Sequence, residues 1–568
     1  MTTIDSEKKI QRRSWRSFFP ILTWLSTYQK GWFRGDVIAA LTLWALLVPE
    51  AMAYAGIAGM PPETGLYAAP LALLAYAIFG TSKHLDVGPS SAVAALSFSV
   101  VVGLAAVGSP EFIVLSIALA FMVGIMLIIG GFLRLGVLAD FLSRPVLDGF
   151  VVGVAISIAV GQLDKMLGFE PEGYDFVPDM IQFITHIGQT HIATLVVGLV
   201  SLGLLFAMHK YTPKLPSALI VLFLAIGVSS LFDFESAGIH IVGAIPAGLP
   251  DFGIAEGLGF DDLLTVAPGA VGVALVAFAE SVAIARSYGT KYGYEVDANQ
   301  ELIAIGASNI GSGFSGAFVV DGSMSRTAAA DEAGGKTQMV SIVAAVAVLI
   351  TAVALTPLFH SLPEATLGAI VIHAVWKNIN FRKISQYRSI TSLDFATAAV
   401  AMVGVLAFGL LQGLLLAALL GLVVLLFGTK QRNTFVLGNV PDTVVYRSIE
   451  HYPDGETYPG LLILRFDGTL FFANVHDFVT ATRTAVEATE PAPQVVLIDG
   501  ESMNDIDATA VITLKELGEE MARSGIDLRF ARVKMKVRNV MQRAGLEETV
   551  NPKHFYPSVQ DGVDAFLK

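Results

Sequence analysis

Apolar runs follow one another along most of this chain, separated by short polar breaks. The runs near 36–54, 63–80, 87–107, 111–131, 145–162, 190–209, 216–232, 262–286, 297–315, 323–336, 338–356, 364–378, 392–410 and 412–429 each read as a membrane span, 14 in all. Several are shorter than the ~20 residues a straight helix needs to cross a bilayer. The third and the tenth are the most polar, and each starts at an aspartate, Asp86 and Asp321. From about residue 440 the pattern changes. "GLLILRFDGTLFFANV" reads as a strand pair turning at Asp467-Gly468. "PQVVLIDGESMNDIDATAVITLKELGEEMARSG" reads as a buried strand, a loop and an amphipathic helix. "IDLRFARV" reads as a further strand and "KMKVRNVMQRAGL" as a further helix. Strands alternating with helices predict a small α/β sheet domain.

Charge sharpens this division. Of the 568 residues 15% are charged, and mean hydropathy is +0.65. Residues 1–430 hold 51 charged side chains and residues 431–568 hold 34, so the second part has the charge density of an ordinary soluble domain. The expected organisation is a cytoplasmic N-terminal segment (1–34), a polytopic helical membrane domain (35–430) and a cytoplasmic α/β domain (431–568). With 14 spans and the N-terminus inside, 20 of the 22 Lys and Arg of residues 1–430 fall on the cytoplasmic side. The positive-inside rule demands that bias. Lys165 lies in an outer loop, and the remaining one is Arg326. Both termini are therefore expected in the cytoplasm, with the chain in the cell membrane. The opening "EKKIQRRSWRS" is basic and has no apolar core after it, so no cleaved signal peptide is expected. The net charge of −13 makes nucleic acid an unsuitable partner, and the absence of cysteine excludes disulfides and thiolate metal sites.

An even span count permits two halves of seven, which aligns span 3 with span 10. Their starts, "DVGPSSAVAA" from Asp86 and "DGSMSRTAAA" from Asp321, share Asp, Ser and Ala positions. Paired interrupted segments at matching places in two halves point to a transporter's binding site. A half-helix starting at mid-membrane aims unpaired N–H groups and the positive end of its dipole at the midplane, which suits an anion. Ser90 and Ser91 on one side, and Ser323, Ser325 and Thr327 on the other, supply hydroxyls. Arg326 adds a positive charge and a fork of donors suited to an oxyanion; the alternative is an arginine that only pairs with a structural carboxylate. Glu280, in the middle of "VALVAFAESVAIARSYG", is the expected partner of Arg326. A carboxylate balanced between desolvation and a nearby guanidinium can exchange a proton during a cycle; a permanent ion pair is the other reading. Glu50 lies beside the helix-breaking Pro49, and Tyr54 one turn further could close over a ligand. Glu50 could instead be a carboxylate reaching outer water. Gln162 and Asp164 are placed at the outer boundary, and Asp331 and Glu332 near the inner end of the tenth span. "GGKT" at 334–337 is not a phosphate loop, since the required first glycine is Ala330. The scattered histidines predict no metal site, and no cofactor is expected.

These motifs resemble the sulfate permease family, which includes plant and bacterial sulfate transporters and the animal solute-carrier-26 proteins such as prestin. "VPEAMAYAGIAGMPPETGLYAA" is similar to the family's first-helix signature, and "TSKHLDVGPSS" to its "SSRxLxxGP". "AESVAIARSYGTKYGYEVDANQELIAIGASNIGSGFSGAFVVDGSMSRTAA" and "FVLGNVPDTVVYRSIEHYPDGETYPGLLILRFDGTLFFANV" are similar to the plant sulfate transporters. The C-terminal domain resembles STAS domains, which are related to anti-sigma-factor antagonists. The resemblance implies a 7+7 inverted repeat in which a core domain moves against a gate domain. It places the anion between the starts of spans 3 and 10, against Ser325, Arg326 and the first span. It links the Glu280 position to proton coupling with Arg326 as electrostatic partner, and it implies a homodimer. Two departures stand out. The family usually has glutamine where this chain has Glu50, and "NDIDATAV" lacks the antagonists' serine pair, although Thr509 falls at their phosphorylated position.

The expected function is secondary active transport of sulfate or a similar oxyanion with protons, by alternating access. The alternatives are proton-coupled C4-dicarboxylate transport, sodium-coupled bicarbonate transport, a channel-like uniporter, and a membrane-anchored sensor whose STAS domain binds a soluble partner. No nucleophile–base set points to an enzyme.

Overall fold

The computed structural model describes residues 18–140, 144–169, 176–212, 215–413, 415–416, 419–421 and 434–568. The chain divides into two compact units, residues 1–421 and 422–568.

The first unit is helical, and every predicted apolar run up to residue 410 coincides with a helix. These are α1 (Phe33–Ile57), α2 (Pro62–Phe79), α3 (Ser91–Val101), α4 (Pro110–Phe132), α5 (Arg144–Val160), α6 (Ile192–Tyr211), α7 (Ser217–Phe232), α8 (Phe260–Tyr292), α9 (Ala298–Phe314), α10 (Met324–Glu332), α11 (Met339–Ile350), α12 (Glu364–Trp376) and α13 (Ser392–Phe408). The run 412–429 lies largely outside the described residues. Among the described residues, 6 helical stretches are long and apolar enough to cross a membrane by length and composition. Four runs differ from expectation. The third and tenth begin as short extended segments, β1 (Val87–Gly88) and β2 (Asp321–Gly322), before α3 and α10 start. Helix α8 continues to Tyr292, so Arg286 lies within it rather than at its end. The eleventh run gives way at Ile350 to a π turn (Thr351–Leu355) and a 3-10 turn (Thr356–Phe359). Pro357 lacks an N–H, and its ring would collide with the carbonyl four residues earlier.

Small residues set the helix packing. A Cβ on Gly124 of α4 would lie 2.8 Å from the Gly306 carbonyl oxygen of α9, and one on Gly306 would lie 2.7 Å from that of Gly124. A Cβ on Gly149 of α5 would lie 2.0 Å from the Ala398 oxygen of α13, and one on Gly65 of α2 would lie 1.9 Å from the Ala51 oxygen of α1. In lipid, apolar surface alone gives helices little reason to associate, so close backbone approach has to supply the contact energy. Helix α6 shows the complementary face: it buries Thr194, Gly198, Ser201 and Leu205 and exposes Ile192, Val196, Leu199 and Val200. An exposed aliphatic stripe of that kind suits hydrocarbon.

The second unit is a six-stranded sheet in the order β4-β3-β5-β6-β7-β8. Its strands are β3 (Thr434–Asn439), β4 (Tyr446–Ser448), β5 (Leu461–Phe466), β6 (Val495–Asp499), β7 (Asp527–Ala531) and β8 (Phe555–Tyr556). Strands β5 to β8 pair in parallel, and β3 is antiparallel to both neighbours. The helices are α14 (Val475–Ala488), α15 (Ala508–Arg523), α16 (Met535–Arg543) and α17 (Val559–Leu567). Helix α15 buries Val511, Leu514, Leu517 and Met521 at helical spacing against Leu464, Ile498 and Phe530 of the sheet. The predicted strand pair about Asp467-Gly468 is not formed. Only its first half is a strand. Asn474 accepts the Phe471 N–H and donates to the Thr469 carbonyl, and Asp507 accepts the Phe472 N–H. These side chains take up the backbone groups that a returning strand would have offered to β5.

The packing makes opposite predictions for two glycines. In an open helix Gly→Ala favours the helix by about 1 kcal/mol. Gly65→Ala should instead lower the melting temperature of the detergent-purified protein, by about 1–3 kcal/mol of stability, because its methyl group has no room. Gly203→Ala, with nothing within 4 Å of the added Cβ, should hold or raise it. Thermal unfolding monitored by size-exclusion recovery distinguishes the two.

Candidate functional site

The site begins with two irregular segments that meet. β1 and β2 pair antiparallel, with Val87 opposite Gly322 and Gly88 opposite Asp321. The Ser323 N–H donates to the Asp86 carbonyl at 3.0 Å, and the Asp86 N–H donates to the Thr327 hydroxyl at 3.0 Å. Asn309 of α9 acts as a substitute strand, accepting the Val320 N–H at 3.0 Å and donating to the Val320 carbonyl at 2.9 Å. Ser281 of α8 accepts the Gly322 N–H at 2.8 Å. Non-helical backbone survives inside a membrane domain only where such partners satisfy it. The pairing sets the starts of α3 and α10 side by side, with Ser90 and Ser323 as their N-cap residues.

Arg326, in the first turn of α10, is wholly buried. Its Nε donates to Asp86 Oδ2 at 2.5 Å and its Nη1 to the Pro89 carbonyl at 2.7 Å. Nη1 also lies 3.5 Å from Glu50 Oε2 on α1. Nη2 is buried and makes no hydrogen bond. It faces Gly88, where a Cβ would stand 3.3 Å away. Tyr54 is buried one turn beyond Glu50 and feels the charges of Glu50, Arg326 and Asp321.

The expected pairing of Arg326 with Glu280 is therefore corrected: Arg326 is held by Asp86. The reason lies in the register of β1 and β2. Asp86 immediately precedes β1, and its backbone bonds to Ser323 and Thr327 hold it against the first turn of α10. Ser281 ties α8 to Gly322, which brings Glu280 next to Asp321 instead. Asp321 is wholly buried and faces both Glu280 and Ser90. Neither of its oxygens completes a hydrogen bond, and neither does the buried Ser90 hydroxyl. Glu280 keeps part of its surface open.

The other expected residues have distinct positions. The Ser323 hydroxyl accepts the Arg326 N–H at 3.4 Å, capping α10. Ser325 is exposed, its hydroxyl 3.2 Å from that of Ser323. Thr327 is buried, and its hydroxyl serves the Asp86 backbone. Ser91 is the first residue of α3 and is half-buried. Gln162 is buried beside a cavity of about 240 Å³ that Asp164 and Lys165 also line. Helix α10 ends at Glu332, and Asp331 accepts from Lys291 Nζ at 2.5 Å and from the Tyr292 hydroxyl. In the second unit Thr509 is exposed in the first turn of α15, beside the N-cap Asp507.

Among the described residues of the first unit, four buried acids were not among the residues expected to act: Asp86, Asp321, Asp36 and Glu301. Asp36 accepts the Lys336 N–H and the Thr337 hydroxyl, each at 2.8 Å, and so fastens the loop after α10 to α1. Glu301 accepts from Tyr76 at 2.7 Å and from Thr81 N–H at 2.7 Å. Only Asp86 and Asp321 carried a signal, an aspartate heading each of the two most polar runs.

The comparisons with known proteins agree with one another. The profile of the sulfate permease family matches residues 33–401 and that of the STAS domain matches residues 452–562. The chain is 36% identical over 545 residues to a probable sulfate transporter of Mycobacterium tuberculosis, covering 95% of this chain and 96% of that one. It is 32% identical over 569 residues to the chloroplastic sulfate transporter 4.1 of Arabidopsis thaliana, covering 97% and 83%. Its fold matches the murine solute carrier 26 family member A9 anion transporter, solved in the inward-facing state, with a TM-score of 0.90 at 24% identity over 99% of this chain and 96% of that one.

The geometry predicts a strongly non-additive pair. Asp86→Ala leaves a buried guanidinium without its carboxylate, which costs about 3–5 kcal/mol. Asp86→Ala combined with Arg326→Met should recover most of that loss. Thermal unfolding of the two singles and the double variant measures the coupling.

Proposed function

Since this chain belongs to the sulfate permease family of membrane anion transporters, we propose that it is a secondary active transporter that carries sulfate, or an oxyanion of similar size, together with protons. The observation that carries this reading is the charge of the site. One guanidinium, Arg326, meets the carboxylates of Asp86 and Glu50 and faces Asp321, which in turn faces Glu280. A doubly charged anion cannot enter such a site while all four carboxylates are ionised. Protonation removes the repulsion, so the anion and the proton favour each other's binding. Coupling also answers the membrane potential, which opposes inward movement of an anion by about 2.3 kcal/mol per charge per 100 mV.

In this reading the anion rests against the N-termini of α3 and α10. The unpaired Nη2 of Arg326 and the hydroxyls of Ser90, Ser91, Ser323 and Ser325 are the donors, and Tyr54 and Glu50 close the site from α1. Glu280 carries the coupling proton. A protonated Glu50 becomes a donor to the anion, which fits a carboxyl where relatives usually have glutamine. The two crossing lead-ins, β1 and β2, support an inverted repeat of seven and seven spans; in this reading the repeat works by alternating access, both termini lie in the cytoplasm, and the chain is a homodimer in the cell membrane. The STAS domain is regulatory. The exposed first-turn Thr509 suits a phosphate, which a helix N-terminus stabilises.

Radiolabelled sulfate uptake into proteoliposomes tests the reading. An inward proton gradient should drive accumulation in the native protein. Glu280→Gln should still bind sulfate and lose the gradient-driven accumulation by tenfold or more, on the order of a general acid–base contribution. Binding and movement of fumarate or of bicarbonate with sodium, and not of sulfate, would reassign the substrate.

A further inference from the structure

We infer that Asp321 is the second half of the proton site: Glu280 and Asp321 hold the coupling proton between them, and the Ser90 hydroxyl links that pair to the anion. The inference rests on the proposed proton coupling and adds a residue to it.

Asp321 cannot be placed by choice of side chain alone. Its backbone is fixed in β2 by the register with Gly88, and the Gly322 N–H is bound to Ser281, the residue after Glu280. A Cβ on Gly322 would lie 3.0 Å from the Ser281 Cα, so α8 and β2 are in direct contact there. Asp321 is wholly buried, yet both its oxygens lack a hydrogen bond. A buried carboxylate left so is costly. The groups facing it are Glu280 from α8, Ser90 at the cap of α3, Arg326 from α10 and Tyr54 from α1. Arg326 is committed to Asp86 and the Pro89 carbonyl. Two carboxyls side by side cannot both stay ionised at low cost, and one proton shared between them satisfies both.

Ser90 supplies the link. Its hydroxyl is buried, does not cap α3, and faces the Asp321 carboxyl. It lies between Asp321 and the N-terminus of α3. With the pair deprotonated, the hydroxyl donates to Asp321. Once the pair shares a proton, Asp321 no longer needs that donor, and Ser90 turns to the anion. Proton loading thus creates an anion donor. Glu280, which keeps some exposure, is the route by which the proton enters, and closed-off Asp321 is where it is retained.

The test is sulfate uptake by the full chain in proteoliposomes, measured against external proton concentration. Asp321→Asn and Asp321→Ser are each compared with the native protein and with Glu280→Gln. Both Asp321 variants should require about tenfold more protons for half-maximal uptake, because the like charge that favours taking up a proton is gone. Their Michaelis constants for sulfate at saturating proton should stay within about threefold of native. The double variant Glu280→Gln/Asp321→Asn should lose no more gradient-driven accumulation than Glu280→Gln alone, as expected of one shared site. A native proton dependence retained unchanged in both Asp321 variants overturns the inference and leaves the transport reading intact. A native protein that moves sulfate without any proton dependence overturns both.

Discussion

The bond between Arg326 and Asp86 is the constraint on which the rest of the site depends. A guanidinium sealed inside a helical membrane unit has to be held by a fixed anion, and here that anion belongs to the opposite half-helix lead-in. The pair therefore does two things. It neutralises most of the arginine's charge, and it clamps β1 to β2 so that two helix N-termini stay adjacent. The Thr327 hydroxyl, the Ser281 hydroxyl and the Asn309 amide then satisfy the backbone that the crossing leaves unpaired.

This changes the meaning of the arginine. It is not a free cation awaiting an anion; its Nη2 and the neighbouring Ser90 hydroxyl are buried donors that complete no hydrogen bond. The surplus of carboxylates then becomes the dominant electrostatic fact. A family that moves anions carries, in this chain, buried carboxylates at both helix starts. In the proposed function, proton binding and anion binding draw on the same cluster of residues.

The helices were legible in the sequence because a bilayer leaves the backbone little other choice over an apolar run. The two interrupted spans were legible because an aspartate, a glycine and serines have no place at the start of an ordinary lipid-facing helix. The choice of partners was not legible. Glu280 stood out in its apolar helix, whereas Asp86 was read only as the start of the third run; only the register of two two-residue strands shows which carboxylate meets Arg326. Asp36 and Glu301 were hidden for the same reason, since each lies in the first turn of a helix where an acid is common. The missing strand after Gly468 shows the limit of alternation as a signal. "TLFFANV" has the apolar content of a strand, but Asn474 and Asp507 divert its backbone into a loop.

The proposed function has the anion binding a site that must first take up protons. Its most direct test is equilibrium binding of radiolabelled sulfate to the purified native protein, across a pH range and with no membrane or gradient present. The account predicts that affinity rises steadily as the pH falls, and that Arg326→Met abolishes binding at every pH. Affinity that is independent of pH, or that weakens on acidification, would contradict it.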